Sequence, residues 1–406
     1  MSNRFTSIPG LLILAASFAA CNNDDIQNNL SSAKPKEIIV ISQDPTGSGS
    51  LIQSLHILEP GGALRWRKES WGIFTGGFAA DDVNLYVAGV AADNSKKTIA
   101  YNINTGTQVW ANSSATESNS GLTVRNDTLY CILTIPNGSG SDGYVAAYNT
   151  KTGAQYWKTR ITNPNPPFVF FLEGSTVYYI FFEPATVTTR MGAFDINTKT
   201  VKWSASLGAL FATVPTVPAW SGDRIFVADN VNRMRAYSKT DGTLLWMNPD
   251  RKFDQPVYSD GKLYASGTLN SNLPDNGVYC FDAGTGTVKW FQRSDYLFSV
   301  TAFANPVNSN IVMAGLDSVY FLKSFHPQTG AQVWRTVVQK DPAWFDAVQY
   351  PMSVGEDVYA LQVRTSLSGF QRIKSRIFKY NIRSGAILDS IDINRDISGF
   401  RILRTE

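Results

Sequence analysis

From residue 36 onward the chain repeats one pattern of apolar and polar positions. Runs of about five residues rich in Val, Ile, Tyr and Phe alternate with short clusters of Gly, Asp, Asn and Ser, the signature of strands joined by tight turns. PVYSDGKLYAS, PAWSGDRIFVA, LTVRNDTLYCI and PMSVGEDVYAL each place β-rich residues on both sides of such a turn. No useful length of chain places apolar residues at helical spacing, so an all-β architecture is predicted.

A second hairpin follows each of these and ends on tryptophan: ILEPGGALRW, YNINTGTQVW, YNTKTGAQYW, FDINTKTVKW, YSKTDGTLLW, FDAGTGTVKW and FHPQTGAQVW. The tryptophans are Trp66, Trp110, Trp157, Trp203, Trp246, Trp290 and Trp334, spaced 44, 47, 46, 43, 44 and 44 residues apart. An eighth copy, YNIRSGAILD, puts Asp389 in the tryptophan slot, 55 residues on. The turn glycine supplies a positive φ at little steric cost. One copy departs, with Lys199 in place of that glycine. Each period holds two hairpins, hence four strands, which is one propeller blade. The first copy lacks an innermost strand, and the chain ends on a leftover one, FRILRTE. The expected fold is an eight-bladed β-propeller over residues 36–406, its first blade closed by the C-terminal strand so that no edge is left open.

These repeats resemble the PQQ-like propeller family, whose unit runs aromatic, Ala or Asp, Thr-Gly, then Trp. The resemblance implies that the seven motif tryptophans dock between neighbouring blades. It does not by itself imply quinone chemistry. Quinoprotein dehydrogenases of this repeat type carry long insertions, adjacent cysteines and calcium-binding carboxylates, whereas Cys131 and Cys280 here fall three repeats apart and read as buried small hydrophobes.

Composition adds mainly exclusions. The net charge is +3 with no long basic run, which leaves no electrostatic footprint for nucleic acid. His56 and His326 are the only histidines, too few for histidine-based metal or general-base sites. GSGSDG at Gly138–Gly143 fits a phosphate-loop pattern on paper, but strands flank it where a helix would have to follow, so it reads as a hairpin loop. Asp81 and Asp82 read as turn formers, and Asn149, Asp195 and Asp282 as single polar turn positions, short of the roughly six to eight oxygens calcium takes.

Ahead of the repeats, Arg4 and the apolar run IPGLLILAASFAA precede Cys21. The run is too short for a transmembrane helix, which needs about 20 residues. Phe18-Ala19-Ala20-Cys21 resembles a bacterial lipoprotein signal, which implies cleavage after residue 20 and acyl chains on Cys21. Residues 21–35 read as a flexible tether, and Asp24-Asp25 resembles an acidic surface-export signal.

Propeller ligands usually sit where loops project from the ring. The predicted blade-entry segments carry Trp71, Phe74, Phe168, Phe211, Phe253, Tyr296, Phe298, Trp344 and Phe345, an expected aromatic rim for a protein partner, an extended peptide or a glycan. A lipid-tethered single propeller resembles the BamB-like lipoproteins of outer-membrane assembly, which implies a non-catalytic monomeric scaffold without cofactor, facing the periplasm or the cell surface. Two alternatives stand beside it: a dehydrogenase holding PQQ and calcium, and a surface glycan-binding lipoprotein.

Overall fold

The computed structural model describes residues 35–404, apart from 44–52, 139, 163–166, 184–185, 210–217, 229–232, 249–251, 254–255, 269–276, 294–302, 305–309, 317–319, 339–343, 367–371 and 394–395. The described residues form antiparallel β-sheets joined by turns, with no helix among them. The chain is a β-propeller.

Six four-stranded groups succeed one another along residues 118–162, 167–209, 219–248, 252–293, 303–337 and 344–393, the fourth of them with its innermost strand in two short pieces. Two further groups precede these and share the strand Leu64–Ala80. Its first part pairs with Gln53–Leu58, and its later part pairs with Asn84–Ala91. Counted from the N-terminus, these groups are the first to the eighth sheet of the ring.

The first group is completed from the far end of the chain. Asp396–Arg404 pairs antiparallel with Pro35–Gln43, setting Ile38 opposite Ile402 and Val40 opposite Phe400. The C-terminal strand therefore fills the vacant inner position that the strand count predicted.

The inner strands of each sheet are buried on both faces, because each sheet is sandwiched between two others. With a side-chain period of two, alternate residues serve alternate neighbours. Leu85 and Val87 pack toward the first sheet, while Tyr86 and Ala88 pack toward the third. Val177 and Tyr179 face the third sheet, and Tyr178 and Ile180 face the fifth. The core is accordingly divided into eight apolar clusters, each spanning one junction between successive sheets. The last junction joins Tyr359, Leu361 and Val363 to Ile38, Val40, Ile397 and Phe400, so the circuit closes on itself.

Candidate functional site

The repeat motif builds the sheet junctions. In each of six junctions the indole N–H of one sheet donates to a backbone carbonyl at the turn of the next: Trp66 to Ile103 (2.7 Å), Trp110 to Thr150 (2.7 Å), Trp203 to Lys239 (3.0 Å), Trp246 to Ala283 (3.0 Å), Trp290 to Pro327 (2.9 Å) and Trp334 to Ile382 (2.8 Å). The ring lies flat on the turn glycine of the same neighbour. A Cβ on Gly106, Gly153, Gly242, Gly286, Gly330 or Gly385 would stand 2.5–2.7 Å from indole carbon, and all six hold φ between 69° and 75°. Glycine is needed here twice over, for the left-handed backbone and for the approach of the ring.

The polar residue that opens each turn is occupied locally. The Oδ1 atoms of Asn102, Asn149, Asp195, Asp282 and Asn381 each accept the backbone N–H groups two and three residues on, at 2.8–3.1 Å. These are Asx turns, the role the motif's Asn or Asp has for a physical reason. His326 takes the same place with its ring, Nδ1 accepting from the Gln328 N–H at 3.3 Å. His56 lies in the core, 2.8 Å from the Ser42 hydroxyl. Asp81 caps the turn after Ala80, accepting from the Val83 and Asn84 backbone and from the Tyr86 hydroxyl.

Trp157 is the exception among the seven indoles. Its turn partner is Lys199, which holds φ at 58° with a Cβ in place. No hydrogen bond from its indole occurs among the described residues, the side chain stays half-buried, and the Lys199 ammonium sits 5.6 Å above the ring.

The expected aromatic rim does not form from the residues whose side chains are described. Trp71 and Phe74 are buried in the junction of the first and second sheets, stacked at 4.7 Å, with the Trp71 N–H donated to the Tyr101 hydroxyl at 3.0 Å. They stand on Leu64–Ala80, which runs unbroken from one sheet into the next where a blade-entry loop was expected. Gly72, at φ 126°, and the register shift between Phe74 and Phe78 bend that strand without ending it. Phe253 is also core, packed edge-on to Tyr279 and Phe281 and covering Gly267 across the strand pair. Phe168 lies in the strand Pro167–Glu173, and Trp344 and Phe345 in Trp344–Val354, with their side chains outside the described set. Phe211, Tyr296 and Phe298 lie outside the described residues altogether. A glycine opposite an aromatic in the neighbouring strand was the signal available for Phe74, which faces Gly89, and for Phe253, which faces Gly267. Gly89 would place a Cβ 2.8 Å from the Trp71 ring.

What the surface offers instead is a polar groove and a set of outer strand edges. The groove, about 420 Å³, opens between the second and third sheets and is lined by Lys96, Lys97, Asn112, Glu117, Asn119 and Tyr148 among others. Its charges are matched within the fold: Lys97 to Asp93 (2.9 Å), Lys158 to Glu117 (2.8 Å), and the Lys96 ammonium to the Thr116 carbonyl (2.9 Å). Burial raises the Tyr148 phenol well above its usual range. Burial also pushes the Cys280 thiol up to about 12, and the Cys131 thiol higher, so both are poor nucleophiles. The grouping suits non-covalent contact and holds no nucleophile–base pair.

A family model described as outer membrane protein assembly factor BamB matches residues 53–179 and 187–402. No curated protein sequence matches the chain. Among solved structures it is similar to BamB from Moraxella catarrhalis, at 17% identity over 81% of this chain and 96% of that one, with a TM-score of 0.54. It is similar to a europium-containing methanol dehydrogenase at 12% identity, covering 82% and 84%, with a TM-score of 0.56. It also resembles the quinohemoprotein alcohol dehydrogenase of Comamonas testosteroni at 11% identity, covering 86% and 75%, with a TM-score of 0.55. At these identities the structural likenesses establish the propeller and no more.

Proposed function

The chain belongs to the family described as outer membrane protein assembly factor BamB, and from that premise we propose that it is a non-catalytic, membrane-anchored scaffold that holds a protein partner on its propeller. Each four-stranded group is taken as one blade, giving eight. Residues 1–20 are proposed as the export signal, Cys21 as the lipid-bearing residue, and 21–35 as the tether, all outside the described residues except residue 35. The outer membrane is the proposed location. The observation that carries the reading is the family match over most of the repeat region.

The chemistry of the side chains supports a binding role. The Asn and Asp residues of the repeats are consumed by their own turns, and the two described cysteines are buried in the third and sixth sheets, too far apart in the ring to pair. No group of three or more His, Cys, Asp or Glu side chains comes together among the described residues. Among the described residues, no carboxylate cluster supports the PQQ and calcium alternative. The glycan-binding alternative rests on Asp24-Asp25 and the aromatic rim, and of that rim Trp71, Phe74 and Phe253 lie in the core.

Deletion of the gene tests the proposal. Outer-membrane β-barrel proteins are expected to fall in abundance, and restoration by the wild-type chain but not by Cys21→Ala tests the lipid anchor. Unchanged barrel levels in the deletion strain refute the assembly role. Adding PQQ and calcium to purified protein, and finding cofactor absorbance with dye-linked alcohol oxidation, would replace it with the dehydrogenase reading.

A further inference from the structure

We infer that the propeller meets the membrane surface with the face that carries its Asx turns, and that the opposite face is the one turned to the aqueous compartment. The inference rests on the lipid proposed for Cys21, on where the first strand begins, and on a ring of exposed apolar side chains beside the turns.

Pro35–Gln43 starts at the turn end of the first sheet. Ile38 stands opposite Leu58, and Leu58 stands opposite Leu64 across the turn at Gly62. The first side chains of that strand reach turns on the same face of the second sheet. Lys36 donates to the Asp82 carboxylate at 3.4 Å. Glu37 accepts from Arg65 at 2.9 Å, and Arg65 also donates to Asn104 of the Asx turn at 3.1 Å. The tether therefore leaves the ring from the turn face.

Cys21 and Pro35 are 14 residues apart, so the tether reaches at most about 50 Å when fully drawn out. To set the opposite face toward the lipid, it would first have to pass the depth of the ring. Strands of 6 to 9 residues make that depth about 20–30 Å. A chain drawn over half its reach or more loses conformational freedom that it keeps when the turn face lies nearest the lipid.

The turn face is also built for a broad, soft contact. Its turns are locked to one another within each sheet, as in the backbone bonds from Ile103 to Val83 (2.9 Å), Thr150 to Asp127 (3.2 Å) and Ile196 to Ser175 (2.9 Å). Beside them, one or two residues before each motif tryptophan or Asp389, every one of the eight sheets exposes an apolar side chain, 42–55% accessible. Leu64, Val109, Val201, Leu244, Val288 and Ile387 are among them. A lone exposed apolar residue means little, but one per sheet at the same level forms a ring around the face that carries the tether. Apolar side chains set among polar ones suit the headgroup region of a bilayer. The occupant of this face is therefore the lipid surface to which the chain is tied.

The test uses the full lipidated chain in phosphatidylethanolamine–phosphatidylglycerol vesicles that carry a rhodamine headgroup. Single cysteines are placed at the two ends of one strand and labelled with a donor dye: Asn104→Cys against Ala92→Cys in the second sheet, and Asn197→Cys against Thr186→Cys in the fourth. Cys131 and Cys280 are buried and leave the label to the introduced thiol. All four positions are exposed, so the variants should keep the wild-type melting temperature. The strands between them, of 7 and 8 residues, separate each pair by about 20–25 Å, so energy transfer is expected to be at least about twofold higher at Asn104 and Asn197 than at their counterparts. Equal or reversed transfer in either pair overturns the orientation and leaves the lipid anchor intact. A wild-type chain that does not associate with vesicles, or a Cys21→Ala chain that associates as strongly as the wild type, removes the anchor and the inference with it. The assembly role is decided separately, by the deletion experiment.

Discussion

Replacing Lys199 by glycine probes the junction in which the repeat departs from its own rule. A residue with a Cβ in the left-handed region costs about 1–2 kcal/mol relative to glycine. Lys199 holds φ at 58°, and the corresponding positions in six other junctions are glycines whose added Cβ would meet the indole at 2.5–2.7 Å. Removing the Cβ therefore relieves backbone strain and clears the surface on which Trp157 should lie. A restored indole–carbonyl hydrogen bond would add about 0.5–1.5 kcal/mol. Against this stand the greater freedom of glycine in the unfolded chain, about 0.4–1 kcal/mol, and the loss of an exposed cation–π contact, about 0.5–1 kcal/mol. The favourable effects exceed the unfavourable ones by about 1 kcal/mol, so Lys199→Gly is expected to stabilise. In a chain this long that moves the melting temperature by only about 1–2 °C, so equilibrium denaturation is the better assay, with Trp157 fluorescence shifting to the blue as the ring is covered. The reciprocal change, Gly242→Lys, forces a Cβ to 2.5 Å from Trp203 at φ 75° and should destabilise by about 2–4 kcal/mol. A neutral or destabilising Lys199→Gly beside a tolerated Gly242→Lys would refute the claim that the glycine–indole contact sets the junction.

The same framework yields further expectations. Trp334→Ala, at a buried indole bonded to Ile382, should cost about 3–5 kcal/mol by denaturant unfolding, and Trp157→Ala distinctly less, since that ring is half-buried and lacks the bond. Trp71→Ala should lower stability by a comparable amount, about 3–5 kcal/mol, measured by calorimetry, because it opens a cavity and takes the donor from the Tyr101 hydroxyl. Burial pushes the Tyr178 and Tyr320 phenols up to about 12, above the value near 10 of the unfolded chain, so the stability they contribute is complete below about pH 10 and lost as pH rises toward 12. The melting temperature should therefore hold to about pH 10 and then fall, with phenolate absorbance appearing together with unfolding. Removing Asp396–Arg404 strips Pro35–Gln43 of its inner partner and should abolish cooperative unfolding.

How far these features could be read beforehand depended on whether they are local. The turn glycine, the Asx residue and the tryptophan lie within ten residues of one another, so each repeat displays its junction chemistry in full, and the ring, its strands and its closure by the C-terminus could be derived from spacing. The aromatic rim could not. Strands sandwiched between two sheets bury both faces, so the period-two alternation that normally separates core from surface carries no such information here. The segment between the first two blades reads as a blade-entry loop, yet it is one continuous strand bent at Gly72, and that difference moves Trp71 and Phe74 from rim to core.

The closing junction is built without an eighth motif indole. Asp389 stands opposite Lys379 as Trp334 stands opposite Ser324, but its side chain is exposed and accepts from the Ser390 N–H. Ile391, two residues on and so on the same face of the strand, takes over the contact: a Cβ on Gly62 of the first repeat would lie 2.7 Å from its Cγ1. An isoleucine covers less area than an indole and donates no hydrogen bond, so this junction is the weaker by side-chain packing alone. Asp396–Arg404 follows the eighth sheet's outer strand and enters the first sheet as its inner one, pairing eight of its residues with Pro35–Gln43. That ladder lies within the first sheet, so the closing junction itself is made by Ile391 on Gly62 and by the apolar cluster that joins Tyr359, Leu361 and Val363 to Ile38, Val40, Ile397 and Phe400.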